Sequence, residues 1–191
     1  MRRILLALST LVLLVGIAPA SFGGGGWGCT ISGTPGDDIL DGTPGPDVIC
    51  GLGGDDELRG KGGDDILRGG RGDDFLRGDG GDDVLLGGRG PDTLIGRTGD
   101  DILRGGPGRD DGDAGYGDDR FFGGPGADIQ LYGGPSGRDL VDGGLGNDVC
   151  VATIDGQGND VARGGPGIDT VYADPGDVTL GFEDARPCFV E

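Results

Sequence analysis

The sequence predicts a repeat fold, in which one short unit is stacked many times, and three observations predict it. Gly (49) and Pro (11) together make 60 of 191 residues, a composition that without periodicity reads as disorder. From Gly33 onward, however, the chain divides into nine-residue blocks. The acidic excess is large, with 34 Asp and Glu against 15 Lys and Arg and a net charge of −19, and it recurs once per block.

The elements follow in chain order. Residues 1–20 read as a cleaved secretory signal peptide: Met1-Arg2-Arg3 is basic, Ile4 to Ala18 is almost wholly apolar, and Ala18-Pro19-Ala20 fits a small-x-small cleavage pattern. The apolar run is short for a membrane span, no second run follows, and no span is expected in the mature chain. Cleavage removes Arg2 and Arg3 and takes the charge from −19 to −21. Residues 21–32, with the Gly23–Gly26 run and Trp27, read as a leader or N-terminal cap.

The blocks then run GTPGDDILD, GTPGPDVIC, GLGGDDELR, GKGGDDILR, GGRGDDFLR, GDGGDDVLL, GGRGPDTLI, GRTGDDILR, GGPGRDDGD and AGYGDDRFF. Gly is fourth and Asp sixth in every one. Leu or Ile is eighth except at Gly112 and Phe121. The array is regular over 33–122 and irregular over 123–172, where single residues are gained or lost. Residues 173–191 read as a C-terminal cap or tail.

These nonapeptides resemble the hemolysin-type calcium-binding repeat, or RTX, family, whose pattern is G-G-x-G-x-D-x-U-x with U large and apolar. The resemblance covers 33–172. It implies an all-β fold: a right-handed parallel β-roll, or solenoid, with two repeats per coil and calcium between stacked turns. The sixth-place aspartates become the expected metal ligands: Asp38, Asp47, Asp56, Asp65, Asp74, Asp83, Asp92, Asp101, Asp110 and Asp119, then Asp128, Asp139, Asp148, Asp160 and Asp169 in the irregular stretch. Fifth-place Asp37, Asp55, Asp64, Asp73, Asp82, Asp100 and Asp118 are expected to add a carbonyl or outer charge.

The chemistry agrees with that expectation. Ca²⁺ takes six to eight oxygens from carboxylates and carbonyls, and Gly-rich turns can aim carbonyls inward. Like charges stacked at roughly 4.8 Å would repel without counter-ions. A chain this acidic and poor in apolar residues should stay expanded until multiple calcium ions bind, which makes binding and folding one equilibrium.

Four cysteines fit an oxidising compartment. On the implied roll Cys50 and Cys150 stand about five and a half coils, roughly 27 Å, apart, beyond disulfide reach. Cys29–Cys50 and Cys150–Cys188 are the expected pairs, one at each end. The seventh and ninth residues of each repeat should face outward. One outer face should therefore carry a ladder of Val48, Ile66, Val84 and Ile102, flanked by Cys50, Arg68, Leu86 and Arg104. It is either plain strand propensity or a stripe covered by another copy, a partner or the tail.

The exclusions are as useful. With no His, Ser-His-Asp and Cys-His catalysis and the HExxH zinc motif are ruled out. The charge would repel nucleic acid and anionic lipid. Arg71-Gly72-Asp73 sits where the repeat puts each residue, and Thr34 and Thr43 do not continue into a flat Thr ladder. Arg59, Arg68, Arg77 and Arg104 read as charge-balancing. The expected function is a secreted, extracellular calcium-binding module, structural or engaged with a cell-surface or polysaccharide partner or with itself. The alternative is an accessory or remnant module of an RTX-type extracellular protease, lipase or polysaccharide epimerase. Too little chain lies outside the repeats for a catalytic domain, so no enzyme activity is expected.

Overall fold

In the computed structural model the described residues are 28–153, 159–173 and 175–182, with side chains described outside 149–153. The expected signal segment and Cys188 lie outside them, as does the side chain of Cys150, and with these the Cys150–Cys188 pair. Every described element is a short strand, and no described helix is long and apolar enough to cross a membrane.

Successive strands alternate between two parallel sheets, one of nine strands and one of eight. The nine-stranded sheet runs from Ile31–Ser32 through Val48–Cys50, Ile66–Arg71 and Val84–Arg89 to Val178–Leu180. In the regular region each residue pairs with the one eighteen further on, as in Ile49↔Leu67↔Leu85↔Leu103. Two nonapeptides therefore make one coil, and the molecule is a β-solenoid of the β-roll type. The stack reaches past both ends of the nonapeptide array, with Ile31 pairing Ile49 and Val178 pairing Val161.

Strand alternation sends each eighth residue inward. Ile49, Leu58, Leu67, Leu76, Leu85, Leu94, Leu103, Phe121, Leu131 and Val141 are fully buried and form one continuous core. Where Gly112 leaves an eighth place without a side chain, buried Ala114 and the larger Phe121 ring of the next strand belong to the same core. The irregular coils absorb their extra residues locally: Gln130 stands between Ile129 and Leu131 at φ 52°, while Leu131 still pairs with Gly112.

The expected outer ladder is present in register, Val48↔Ile66↔Val84↔Ile102, and ends at Arg120. All four apolar members are half-buried by their neighbours. That degree of cover is what β-branched residues achieve by packing along a sheet. Replacing Ile66 and Val84 with Thr should accordingly leave the sedimentation coefficient of the calcium-loaded protein unchanged. A fall in apparent mass would instead reveal a covering copy.

The disulfide Cys29–Cys50 joins the first strand region to the first full coil, with Cα atoms 6.1 Å apart. This matches the expected N-terminal pair. The arginines are engaged locally: Arg59 with Glu57, Arg77 with Asp79 at 2.7 Å, and Arg104 over the Phe122 ring at 5.4 Å.

Candidate metal centres

Every sixth-place aspartate lies in one of two ladders, one along each edge of the roll. Asp38, Asp56, Asp74, Asp92, Asp110, Asp128, Asp148 and Asp169 form the first; each backbone N–H donates to Oδ1 of the next aspartate, at 2.8–2.9 Å. Asp47, Asp65, Asp83, Asp101, Asp119, Asp139 and Asp160 form the second in the same way. The spacing is 18 residues in the regular coils and 20 or 21 in the irregular ones. The hydrogen-bonded rung holds each carboxyl in place while the loop between rungs varies in length. One ladder member escaped the sequence reading: Asp160 N–H donates to Asp177 Oδ1 at 3.2 Å. Gly176-Asp177 lacks the fifth residue that separates Gly and Asp in the repeat, and Thr179, paired with Ala162, stands where the repeat has a large apolar residue, which hid it.

Only one oxygen of each carboxyl is used by the rung. From Asp56 to Asp169 the sixth-place aspartates are almost wholly buried, at 0–2% exposure. Oδ2 of Asp56, Asp65, Asp74, Asp83, Asp92, Asp101, Asp110, Asp119, Asp128, Asp148 and Asp169 accepts no hydrogen bond. A buried oxygen without a donor costs of order 1–3 kcal/mol, and more if charged. So long a row of them calls for a partner that is not part of the chain.

The space beside these oxygens has a definite chemistry. A Cβ on first-place Gly78 would stand 2.2 Å from Asp83 Oδ2 and 3.0 Å from the carbonyl oxygen of Gly96, one coil on. The first-place glycine thus leaves room for a carboxylate oxygen and a backbone carbonyl oxygen to converge, and Gly60 and Gly69 do the same. Among the described residues no three acidic or cysteine side chains gather at one point. Ligands for a cation would therefore combine one or two carboxylates with carbonyls, the oxygen-only mixture that suits Ca²⁺. The donor set fits: the sixth-place carboxylates and turn carbonyls would hold the ion, which would supply the positive charge the ladder lacks.

The electrostatics say the same. Burial pushes the Asp74, Asp110 and Asp119 carboxyls up to about 6. Asp83, Asp92 and Asp128 rise to about 7 and Asp101 to about 8, again chiefly by burial, with neighbouring carboxylates adding to the rise and the rung hydrogen bond opposing it. Without a counter-ion these groups cannot all stay ionised at neutral pH.

The fifth-place aspartates behave differently. Asp55 N–H donates to Asp37 Oδ1, and Asp82, Asp100 and Asp118 continue a second outer series on Asp64. Most are exposed, and the outer series ends at Arg138, whose Nε lies 3.1 Å from Asp118 Oδ2. They form an outer acidic rail beside the buried one.

The family model for the RTX calcium-binding nonapeptide repeat matches residues 32–67, 51–85, 59–94, 77–112, 95–130, 113–150 and 154–177. No curated protein matches the chain. The repeat matches cover most of the sequence and coincide with the stacked coils and their aspartate ladders; the chain belongs to the RTX calcium-binding nonapeptide repeat family.

Proposed function

We propose that this protein is a secreted calcium-binding roll that folds when it meets extracellular calcium and then serves as a structural or cell-surface interaction module. The observation that carries the reading is the double row of buried carboxylate oxygens without donors. Calcium supplied from outside the cell satisfies them only after export, so folding is deferred until the chain has crossed the membrane. The basic-apolar-small pattern of residues 1–20 and the Cys29–Cys50 disulfide support an exported, oxidised protein. The sixth-place aspartates whose Oδ2 stands bare, from Asp56 and Asp65 onward, hold the ions with the turn carbonyls. The absence of His and the engagement of the matched repeats in stacked, aspartate-lined coils favour binding over turnover.

A calcium titration of the mature chain followed by far-UV circular dichroism tests this. The expected midpoint is about 10⁻⁴–10⁻³ M, the range of extracellular modules. Magnesium should fail to substitute, because its small octahedral shell is poorly served by carbonyl-rich turns. A spectrum insensitive to calcium, or robust proteolytic or polysaccharide-cleaving turnover by the purified chain, would contradict the proposal.

A further inference from the structure

The first coil closes its turns by a different device from the regular coils that follow it. In the second place, Leu52, Lys61, Gly70, Asp79, Gly88 and Arg97 all take positive φ, between 76° and 125°. Four of these carry a Cβ and adopt the left-handed region against their preference. Thr34 and Thr43, which hold the same place in the first two repeats, do not take positive φ.

The consequence is a second hydrogen-bonding pattern. Thr34 N–H donates to Asp38 Oδ2 at 2.6 Å, and its hydroxyl donates to the same oxygen at 2.9 Å while accepting from Gly36 N–H at 3.2 Å. Thr43 repeats this on Asp47, with N–H at 2.7 Å, hydroxyl at 2.8 Å and Gly45 N–H at 3.3 Å. A hydroxyl that both accepts from the residue two ahead and donates to a carboxylate is a compact local closure. Fourth-place Gly36 and Gly45 also differ from their later counterparts. A Cβ there would meet nothing nearer than 3.9 Å, whereas on Gly72 it would stand 2.1 Å from the Gly54 carbonyl oxygen.

We infer that Thr34 and Thr43 close the first coil in place of calcium, so that Asp38 and Asp47 are not metal ligands and the calcium sites begin at Asp56 and Asp65. This rests on the calcium reading of the later turns. The oxygen that stands bare in those turns already has two donors in the first coil, and a carboxylate oxygen so satisfied gives up hydrogen bonds if it turns to a cation. The second-place residue thus decides which turns take an ion. It leaves the end of the stack, beside Cys29–Cys50, closed by the chain's own groups.

The test counts calcium ions per chain by native mass spectrometry in three proteins, each checked for its β spectrum in calcium. Asp38→Asn with Asp47→Asn should bind as many ions as the unsubstituted protein. Asp83→Asn with Asp101→Asn should bind fewer. An equal loss in both variants would overturn the inference while leaving the calcium reading intact. No loss in the Asp83/Asp101 variant would overturn the calcium reading, and the inference with it. If the first pair does not fold in calcium, the single Asp38→Asn at the outermost turn reads the same contrast.

Discussion

Stripped of calcium at pH 8, the mature chain is expected to lose its β spectrum and expand, and to regain compactness without any metal as the pH is lowered to about 5. The sign follows from the raised carboxyls. Asp74, Asp83, Asp92, Asp101, Asp110, Asp119 and Asp128 stand at about 6 to 8 in the folded roll, against about 3.9 for an unfolded aspartate. Between those values the folded state binds more protons than the unfolded state, so metal-free stability falls as pH rises through the window. Calcium and protons compete for the same buried oxygens. Calcium binding at neutral pH should therefore release protons, which calorimetry in buffers of different ionisation enthalpy measures directly. A metal-free chain that is equally folded at pH 5 and pH 8 would contradict this account of the ladders.

Replacing three consecutive rungs of one ladder, Asp65→Asn, Asp83→Asn and Asp101→Asn, should have opposite effects with and without metal. The amide keeps the shape and lets Oδ1 go on accepting from Asp47, Asp65 and Asp83 N–H. Its NH₂ then points where Oδ2 stood, near the carbonyls of Gly78, Gly96 and Ala114, and donates to an acceptor that repelled its predecessor. Three stacked charges disappear, each worth about 3 kcal/mol of repulsion per neighbour at an effective dielectric of 20 and strand spacing. We expect the variant to retain more β structure than the unsubstituted chain in chelator at pH 8. It should also bind fewer ions and need at least about tenfold more calcium for its remaining transition. If the variant matched the unsubstituted chain in both conditions, Oδ2 would not be where the cation sits.

Much of this was legible in the sequence because the repeat is the structure. The eighth-place Leu and Ile gave the core, eighteen-residue register gave two sheets, and the sixth-place Asp gave the ladders. The outer Val48–Ile102 ladder fell in the expected register for the same reason. The misses have physical causes. Asp177 was hidden because a rung depends on a backbone N–H meeting Oδ1, not on a fixed eighteen residues between rungs, so a step of 17 still delivers it. The separate hydrogen bonding of Asp38 and Asp47 was not singled out by the pattern, because Leu52, Lys61, Asp79 and Arg97 depart from its second-place Gly just as Thr34 and Thr43 do. It turns on φ at the second place, where Thr34 and Thr43 stay out of the left-handed region and their hydroxyls reach the sixth-place carboxylate. The division into a buried sixth-place rail and a mostly exposed fifth-place rail follows the roles expected of the two places, although both are Asp in most repeats.

Anomalous diffraction from crystals in which terbium replaces calcium tests the central claim most directly, because it locates the ions. The account predicts a row of peaks along each edge of the roll, each between a sixth-place Oδ2 such as that of Asp83 and the first-place carbonyl one coil on, Gly96, with none at Asp38 or Asp47. Peaks confined to the exposed rail of Asp64, Asp82 and Asp100, with none beside the buried carboxylates, would contradict it.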